Sequence, residues 1–581
     1  MPRLKILIVV IFICGFLIIG RLFELQVLRH DFYTTSVENR GEVNEIIPVE
    51  RGRILIEDGG ETYPLATNIN TYNLIAVPAR ITNPEEWLKK MAPYLNFQNN
   101  ITGDQIIEEG QKNDEYKAMI ERLSREKDFY ELLRKELTIN EVNVIKKLNL
   151  EGIDFETISK RYWPEKNLFS HVVGFVSPSD NKPSGQYGIE EFFNQELEGI
   201  PGQMKGEKAP GGYLISSSYQ EIKKAENGED IVLTLDRSIQ FFACQLIQQA
   251  VKDYGAERGS IIVEDPESGK ILALCNQPDF DPNQYSKIKN LEVFKNSAID
   301  YSYEPGSIFK VITMAAALDA GKVTPDTSYV DTGSLTIDGH VIKNAADRVF
   351  GKATMTNVLE RSINTGAVFA AKSLGKESFR NYVKKFGFGR LTEIELSGEA
   401  SGNIDNLEQK AEIYLATASF GQGISVTPIQ MINAVAAIAN QGKLMKPYIV
   451  DKIIKNGETI QREPVFVRQV ISSSTAATLT SMMVSVLENG WRIGAGVPGY
   501  FTAGKTGTAQ VAGPSGSYSE KTIHSFIGFA PATNPKFIAL IKIDNPATGH
   551  FADTTAAPTF GKLSEFILKY YNIPPDRPRT K

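Results

Sequence analysis

The sequence contains few of the residues that most metal, redox and disulfide-based sites require. Its 581 residues include five histidines and three cysteines, and no two histidines stand at the spacing of a zinc-binding helix. These counts exclude a zinc cluster and a disulfide framework. A net charge of −6 gives no indication of nucleic-acid binding, which favours a basic surface. We therefore expect chemistry that avoids metal ions and can proceed without histidine.

The composition is that of a globular protein with several domains. It is 42% hydrophobic and 23% charged, and the length suggests roughly two to four domains. Cys244 and Cys275 could form one pair outside the cytoplasm. Because Cys244 lies in an apolar helical pattern and Cys275 in a strand pattern, we expect two small buried side chains rather than a disulfide.

The N-terminus departs from this globular composition. Two cations within residues 1–5 precede an uncharged, apolar stretch, 6–20, that ends at Arg21. About 20 residues are needed to cross a bilayer, but Arg21 can snorkel and so lengthen the span. A cleaved signal peptide has the same charge pattern, yet no A-x-A site follows. We expect a retained transmembrane signal anchor at residues 6–27, with residues 1–5 in the cytoplasm and the rest outside.

The remaining chain divides into two parts. Residues 28–230 mix short strands with charged helical stretches, two or three of them over residues 104–150, and carry no group of residues at catalytic spacing. We expect a structural or docking domain there. Residues 231–573 show strands, then helices, then strands and a closing helix, which predicts an α/β domain whose sheet is built from both ends of the segment. Residues 574–581 form a loose tail.

A serine and a lysine share the first turn of an apolar helix that follows a Pro-Gly pair. Ser307 and Lys310 stand three positions apart and therefore on one face of the helix. A lysine amine can take the serine proton when burial or a nearby cation lowers its pKa. The spacing alone is weak evidence, because S-x-x-K also occurs at Ser124, Ser179 and Ser373. For one isolated match, a serine at a helix start beside a surface lysine is the simpler interpretation.

Two further motifs change that interpretation. Ser362-Ile-Asn364 follows a helical stretch, and Lys505-Thr-Gly lies in a strand pattern, where K-T-G occurs once in the chain. Glycines beside a lysine in a strand allow an extended peptide to approach closely. Another S-x-N, at Ser179, precedes the candidate nucleophile and lies in the other domain. The order S-x-x-K, S-x-N, K-T-G within one α/β domain is the signature of penicillin-recognising serine transpeptidases and β-lactamases.

Over nearly its whole length, the sequence resembles the class B penicillin-binding proteins, which are monofunctional peptidoglycan D,D-transpeptidases. The resemblance implies a penicillin-binding, β-lactamase-like α/β (α+β) domain with an antiparallel sheet flanked by helices. It also implies an N-terminal mixed α+β pedestal, similar to a dimerisation domain, and a single transmembrane helix. Stretches that carry the resemblance outside the three motifs are Arg51-Gly-Arg-Ile, Gly188-Ile-Glu-Glu, Ser419-Phe-Gly-Gln-Gly and Ser525-Phe-Ile-Gly-Phe. The C-terminal Ala556-Ala-Pro-Thr-Phe is more similar to the division branch, of FtsI or SpoVD type.

The resemblance further implies a role for each motif residue. Ser307 would attack the penultimate D-alanyl carbonyl, with Lys310 as its general base and Lys505 lowering the pKa of that base. Ser362 would relay the proton to the leaving D-alanine, and Asn364 would hold the acyl chain and orient Lys310. Backbone amides at the nucleophile and in the K-T-G strand would form the oxyanion hole. The strand residues implied to bind the substrate are Thr506, Gly507 and Thr508.

The implied reaction joins a D-Ala-D-Ala donor to an amine acceptor, both of them peptidoglycan stem peptides, and needs no cofactor or metal. β-Lactams would acylate the same serine. The implied setting is the cytoplasmic membrane, crossed once, with the catalytic domain outside the cell and no nucleic acid involved. A SEDS-type glycan polymerase and divisome proteins are the implied protein partners.

Two alternatives on the same fold remain open. A β-lactamase or D,D-carboxypeptidase would need a base that activates water for deacylation, and the sequence reveals none. A non-catalytic division scaffold or β-lactam sensor would not need Ser307, Lys310 and Lys505, all of which are present.

Overall fold

A computed structural model of the protein describes residues 2–29, 42–95, 114–179, 182–207, 220–490, 494–513 and 518–577. The chain forms two compact units. The first consists of Met1–Gly52 with Glu198–Glu229, and the second of Arg53–Leu197 with Asp230–Lys581. The candidate catalytic motifs all belong to the second unit.

Helices are numbered along the chain. Those before residue 300 are α1 (Pro2–Phe23), α2 (Pro84–Met91), α3 (Asp114–Leu123), α4 (Ile139–Lys146), α5 (Ser170–Val173), α6 (Gly188–Phe192), α7 (Asn194–Glu198) and α8 (Arg237–Tyr254). The later ones are α9 (Lys310–Asp319), α10 (Met355–Glu360), α11 (Asn364–Leu374), α12 (Lys376–Lys385), α13 (Glu412–Ala418), α14 (Pro428–Ala439), α15 (Ser473–Asn489) and α16 (Ala556–Tyr570).

Strands are numbered in the same way. The first are β1 (Glu42–Ile47), β2 (Ile54–Asp58), β3 (Glu61–Ala76), β4 (Glu131–Leu137), β5 (Ile153–Tyr162), β6 (Phe175–Ser179), β7 (Lys182–Gln186), β8 (Gly202–Glu207) and β9 (Gln220–Lys223). Then follow β10 (Asp230–Leu233), β11 (Arg258–Glu264), β12 (Ile271–Gln277), β13 (Ser328–Asp331), β14 (Ser334–Ile337), β15 (His340–Lys343) and β16 (Gly351–Thr354). The last are β17 (Lys443–Met445), β18 (Val450–Lys455), β19 (Glu458–Gln461), β20 (Phe466–Gln469), β21 (Ala503–Ala512), β22 (Tyr518–Ala530) and β23 (Phe537–Asp544).

The first unit begins with α1. Apolar side chains are exposed along this helix, including Phe12 and Phe16 at 74% and 80%. Among the described residues, no helix combines the length and the apolar character that crossing a membrane requires. The uncharged stretch between Lys5 and Arg21 has 15 residues, fewer than the about 20 that a span needs. The membrane span predicted over residues 6–27 is therefore not confirmed.

The rest of the described first unit contains an antiparallel sheet in the order β1-β8-β9. The unit ends at Gly52, in the Arg51-Gly-Arg motif. A Cβ on Gly52 would lie 1.9 Å from the carbonyl oxygen of Glu229. Only glycine fits this close approach of two backbone segments, which gives the motif a steric explanation.

In the second unit, a mixed sheet has the order β19-β18-β10-β2-β3-β4, with β5 also paired to β3. Its strands come from both sides of residue 230. Helices α3 and α4 confirm helical structure within residues 114–150, whereas the part of the prediction over 104–113 lies outside the described residues. The purely helical prediction was wrong for β4, because this Glu/Lys/Leu segment pairs with β3 and its Leu137 enters the core.

A five-stranded antiparallel sheet, β12-β11-β23-β22-β21, carries the candidate site. One of its faces packs against α8 and α16, and the other faces a larger core that includes α9, α14 and α15. Since β11 and β12 precede the central helices and β21 to β23 follow them, the prediction of a sheet built from both ends is confirmed. Strand β21 lies at one edge of this sheet.

Cys244 of α8 and Cys275 of β12 form a disulfide, with their Cα atoms 5.2 Å apart. The expectation of two separate thiols was wrong. Each cysteine lies in the type of element predicted for it, but α8 packs across β12 so that the two side chains face each other. The sequence pattern of each segment alone does not predict which faces of α8 and β12 meet.

Glu264, at the end of β11, has a fully buried carboxyl group. Its side chain is 0% exposed, and neither carboxyl oxygen has a hydrogen-bond partner among the described residues. Burial, followed by the charge of Asp265, raises the pKa of Glu264 well above its ordinary value. The fold therefore favours the protonated form of this side chain.

This carboxyl group predicts a pH-dependent loss of stability. The folded chain keeps the proton at pH values where the unfolded chain, with a pKa of about 4.3, has lost it. The free energy of unfolding therefore falls as the pH rises above that value. We expect Glu264→Gln to weaken this fall, measured by urea unfolding between pH 5 and pH 8. Glu267→Gln, on the exposed turn that follows, should keep the wild-type slope. Equal slopes for wild type and Glu264→Gln would contradict the prediction.

Candidate active site

Ser307 lies in a tight 3-10 turn, Gly306–Phe309, that continues directly into α9. The turn begins at Gly306 with φ +57°, and a Cβ there would lie 2.9 Å from the Cβ of Ala509. Glycine is therefore required where the turn approaches β21. Ser307 is half-buried, and its hydroxyl forms no hydrogen bond with another described residue. This leaves the hydroxyl free for a substrate.

A glycine-rich segment, Ser419–Gly423, holds the turn from the other side. The backbone N–H of Gly306 donates to the carbonyl oxygen of Gly421 over 3.0 Å. A Cβ on Gly421, where φ is +80°, would lie 2.2 Å from the carbonyl oxygen of Gly306. Thr313 of α9 donates from its hydroxyl to the carbonyl oxygen of Ser419 over 2.7 Å. The position of Ser307 is thus fixed by contacts with the backbone of this segment.

Glu304 is a residue of this site that the sequence analysis missed. Its carboxylate accepts hydrogen bonds from the backbone N–H of Gly423, over 2.9 Å, and from the hydroxyl of Tyr518, over 3.0 Å. Glu304 joins the turn that contains Ser307 to the glycine-rich segment and to the start of β22. A single carboxylate before Pro-Gly-Ser forms no recognisable spacing, so the sequence gives no signal for this role.

The side chain of Lys310 reaches the S-x-N motif. Its Nζ donates to the carbonyl oxygen of Ser362 over 2.6 Å and to Oδ1 of Asn364 over 2.7 Å, and lies 3.2 Å from Oγ of Ser362. The amide of Asn364 is oriented by a second hydrogen bond, from its Nδ2 to the carbonyl oxygen of Lys343 over 2.8 Å. Oδ1 is therefore the atom that faces Lys310.

Lys310 is 1% exposed, and it forms no ion pair with a described residue. Burial, followed by the positive charge of Lys505, holds the pKa of Lys310 well below its ordinary value. The neutral amine has two N–H groups and one lone pair. Since the carbonyl oxygens of Ser362 and Asn364 can only accept, they take the two N–H groups. The lone pair is left to accept a proton from a hydroxyl.

Lys505, on β21, is the second buried lysine. Its Nζ lies 3.1 Å from Oγ of Ser362 and donates to the carbonyl oxygen of Thr506 over 3.1 Å. Burial lowers the pKa of Lys505 to about 7. The hydroxyl of Ser362 thus lies within hydrogen-bond distance of both lysine amines, which connects the three motifs through one oxygen atom.

The S-x-N motif is held by a network below it. Ser362 has φ +54°, a left-handed conformation that is unusual for a residue other than glycine. Next to Asn364, Thr365 donates from its hydroxyl to the carboxylate of Asp331 over 2.6 Å. Burial opposes ionisation of Asp331, but hydrogen bonds led by those from Thr365 and the N–H of Phe350 lower its pKa overall. A fixed carboxylate thereby anchors the start of α11.

Thr506, Gly507 and Thr508 lie on β21, the edge strand. A Cβ on Gly507 would lie 2.6 Å from Oγ of Ser525 and 3.0 Å from the side chain of Ile308, so a larger residue would displace the strand. Oγ1 of Thr508 accepts a hydrogen bond from the N–H of Ala552 over 3.1 Å. Its hydroxyl proton is therefore free to be donated to a ligand. In the described part of the chain, no group of three His, Cys, Asp or Glu side chains could hold a metal ion.

Comparison with known proteins agrees with this geometry. The family profile described as Penicillin binding protein transpeptidase domain matches residues 259–565. A second profile, described as Penicillin-binding Protein dimerisation domain, matches residues 46–233. The first profile alone covers more than half of the chain and includes all three motifs.

Curated relatives match over almost the full length. Stage V sporulation protein D of Bacillus subtilis is 33% identical, over 99% of this chain and 86% of the relative. Peptidoglycan D,D-transpeptidase FtsI of Escherichia coli is 30% identical, over 96% of this chain and 90% of the relative. The crystal structure of penicillin-binding protein 3 from Mycobacterium tuberculosis with aztreonam has a TM-score of 0.69 and 26% identity, covering 92% and 100% of the two chains. With matches of this extent, and with the three motifs brought into contact through Lys310, Ser362 and Lys505, the chain belongs to the class B penicillin-binding proteins.

Proposed function

We infer that the protein is a serine-type peptidoglycan D,D-transpeptidase that cross-links stem peptides during cell division and is a target of β-lactams. The observation that carries this function is the contact between Lys310 and the S-x-N motif. It gives a buried lysine of lowered pKa a free lone pair beside Ser362 and Lys505. Acyl transfer by a serine requires such a group when a lysine rather than a histidine is the base.

In the proposed acylation, Oγ of Ser307 attacks the carbonyl carbon of the penultimate D-alanine. Its proton moves to the lone pair of Lys310 as the O–C bond forms. The C–N bond then breaks, and the leaving D-alanine receives a proton through the hydroxyl of Ser362, which lies 3.2 Å from the amine of Lys310. The product is an acyl-enzyme ester on Ser307 with the base restored.

Substrate binding is proposed along β21. The terminal carboxylate of the donor would accept hydrogen bonds from the hydroxyls of Thr506 and Thr508, in the positive potential of Lys505. The N–H groups of Ser307 and Thr508 would stabilise the developing oxyanion, a contribution of about 3–4 kcal/mol for one donor in related acyl-transfer enzymes. Gly507 would let this part of β21 lie close against the turn that holds Ser307.

In the second half of the reaction, an amine of a neighbouring stem peptide attacks the ester. The amine gives a proton to the lone pair of Lys310 as the new C–N bond forms, and Ser307 receives that proton from Lys310 as the ester C–O bond breaks. Transfer to an amine rather than to water separates this activity from that of a β-lactamase or a carboxypeptidase.

The wider setting is part of the same proposal. Exposed apolar side chains on α1 support its role in holding the protein at the membrane, with the catalytic domain outside the cell. Residues 28–230 would form a pedestal for the catalytic domain at 231–573 and dock a SEDS-type polymerase and divisome proteins. Phe129 and Tyr130, exposed at 70% and 54%, are apolar groups in this pedestal that support a docking role.

The direct test is mass spectrometry of the protein after reaction with benzylpenicillin, followed by a cross-linking assay on nascent glycan strands. We expect a stable adduct on Ser307 and cross-linked product, both lost in Ser307→Ala. Ser124→Ala, which changes the serine of another S-x-x-K, should retain both. Rapid hydrolysis of the adduct would instead indicate a β-lactamase. The absence of any adduct on the wild-type protein would refute the proposed enzymatic activity.

Replacing the base should stop acylation without unfolding the protein. We expect Lys310→Ala to slow acylation by a fluorescent penicillin about 10²- to 10⁴-fold, the usual contribution of a general base. Lys127→Ala, at the exposed lysine of the Ser124 motif, is the matched control. An unchanged acylation rate in folded Lys310→Ala protein would exclude Lys310 as the base.

The two lysines predict a bell-shaped pH dependence of the acylation rate. The rate rises as Lys310 loses its proton, at a pH well below the ordinary lysine pKa. It falls as Lys505 loses its positive charge, near its pKa of about 7. Because a guanidinium keeps its charge at this pH, Lys505→Arg should remove the falling limb while lowering the maximum. A falling limb that persists in Lys505→Arg would refute this assignment.

A further inference from the structure

A second polar cavity lies away from the catalytic serine, in the same structural unit. It has a volume of about 230 Å³ and lies at the ends of β11 and β12, on the side of the five-stranded sheet opposite β21. We call it the edge cavity. Its lining includes Arg258, Asn276, Gln277, Lys295, Asp300 and Tyr301. None of these residues belongs to the three catalytic motifs.

Three of the five charged side chains that line the edge cavity already have partners. Lys295 pairs with Glu292 over 2.8 Å, and Glu257 pairs with Lys521 over 2.6 Å. Neither pair needs a ligand to balance its charge.

The other two charged groups, Arg258 and Asp300, have no ion-pair partner in the part of the chain that the structure describes. Within the described residues, the guanidinium of Arg258 forms no ion pair and lies 5.6 Å from the ring centre of Tyr301. The half-buried carboxyl of Asp300 forms no ion pair and accepts no hydrogen bond from another described side chain. Burial raises the pKa of Asp300 to about 6, against the opposing effects of Lys295 and Arg258. A cation and a carboxylate thus face one cavity without contacting each other.

We propose that the edge cavity binds a small amino-acid zwitterion, with its carboxylate on Arg258 and its ammonium group on Asp300. A planar guanidinium forms bidentate hydrogen bonds with a carboxylate, and a carboxylate accepts the hydrogens of an ammonium group. A simple anion would leave Asp300 unpaired, and a simple cation would leave Arg258 unpaired. A neutral sugar would neutralise neither group. The volume is sufficient for one amino acid.

The floor of the edge cavity is connected to the catalytic strand. Ser297 donates from its hydroxyl to Oδ1 of Asn276 over 2.9 Å and lies 2.9 Å from Oγ of Ser260. Asn276, Ser260, Lys542 and Ser525 stand directly opposite one another on successive strands, and Ser525 stands opposite Gly507 of the K-T-G motif. The four side chains are buried. They form a polar row on one face of the sheet.

The wall of the edge cavity also leads to the nucleophile. Tyr301 precedes Ser307 by six residues, and Nζ of Lys542 lies 4.9 Å and 5.1 Å from the ring centres of Tyr301 and Tyr303. Tyr303 is in turn paired with Val426. A ligand on Arg258 and Asp300 therefore contacts a segment that is packed on the polar row and continues into the turn of Ser307. We expect a bound zwitterion to change the acylation rate.

Two zwitterions share the required chemistry, and this part of the inference rests on the proposed function. One is D-alanine, which acylation releases. The other is the diamino acid of a stem peptide, which carries an ammonium group and a carboxylate on one carbon. Titrations with D-alanine and with meso-diaminopimelate distinguish these two sources.

The test is a titration followed by NMR on protein acylated with benzylpenicillin, which occupies the catalytic site. We expect saturable binding of at least one zwitterion, and neither acetate nor methylammonium should compete with comparable affinity. Arg258→Gln and Asp300→Asn should each weaken binding about tenfold or more, as expected for loss of a charge-assisted hydrogen bond. Lys289→Gln, at an exposed lysine of the adjacent segment, should bind as wild type does.

Acylation by penicillin shows that each variant is folded, and it is measured separately from binding. If neither the wild type nor any variant were acylated, the proposed function would be refuted. The titration would then be made on the unmodified protein, so that zwitterion binding is still tested. The inference is overturned if wild type binds neither zwitterion, or if Arg258→Gln and Asp300→Asn bind as tightly as wild type. It is also overturned if the ligand changes the acylation rate equally in wild type and Arg258→Gln, since that result would place the ligand at the catalytic site.

Discussion

A lysine amine enclosed by neutral oxygen atoms determines how the rest of this site is built. Lys310 is buried, and a buried ammonium ion without a carboxylate partner is costly. Its hydrogen bonds go to a backbone carbonyl and an amide oxygen, which hold a neutral amine in place without stabilising a full positive charge as a carboxylate would. The nearby Lys505 acts in the same direction. The neutral amine of Lys310 is thus favoured both by the oxygen atoms around it and by the absence of a carboxylate among its described partners.

Holding those oxygen atoms requires structure far from Ser307 in the sequence. The left-handed backbone at Ser362 directs its carbonyl toward Lys310, and the buried carboxylate of Asp331 anchors the following turn through Thr365. Glu304, just before the turn that contains Ser307, connects that turn to Gly423 and Tyr518. Asp331, Thr365 and Glu304 have no part in the proposed proton transfer. They fix the distances on which proton transfer depends.

Local signals made parts of this structure predictable from sequence. The bounds of α8 follow from Asp236, which caps its start, and from Gly255, which ends it in a left-handed conformation. The three motifs located the candidate site because their order is specific. By contrast, β4 and the Cys244–Cys275 disulfide depend on which faces meet in the folded chain, and no local pattern encodes that. Asp331 and Glu304 were missed for a similar reason, since a lone carboxylate acquires its role only from distant partners.

The edge position of β21 has a consequence for selectivity. An edge strand presents unpaired backbone N–H and C=O groups, which in most proteins favour unwanted association. In the proposed reaction the same groups pair with the backbone of the donor peptide, and backbone pairing does not distinguish one side chain of that peptide from another. Recognition then depends on an extended backbone and a terminal carboxylate. Any compound that reproduces those two features competes for the strand, whatever side chains it carries. This broad acceptance of ligands follows from the position of β21 at the edge of the sheet.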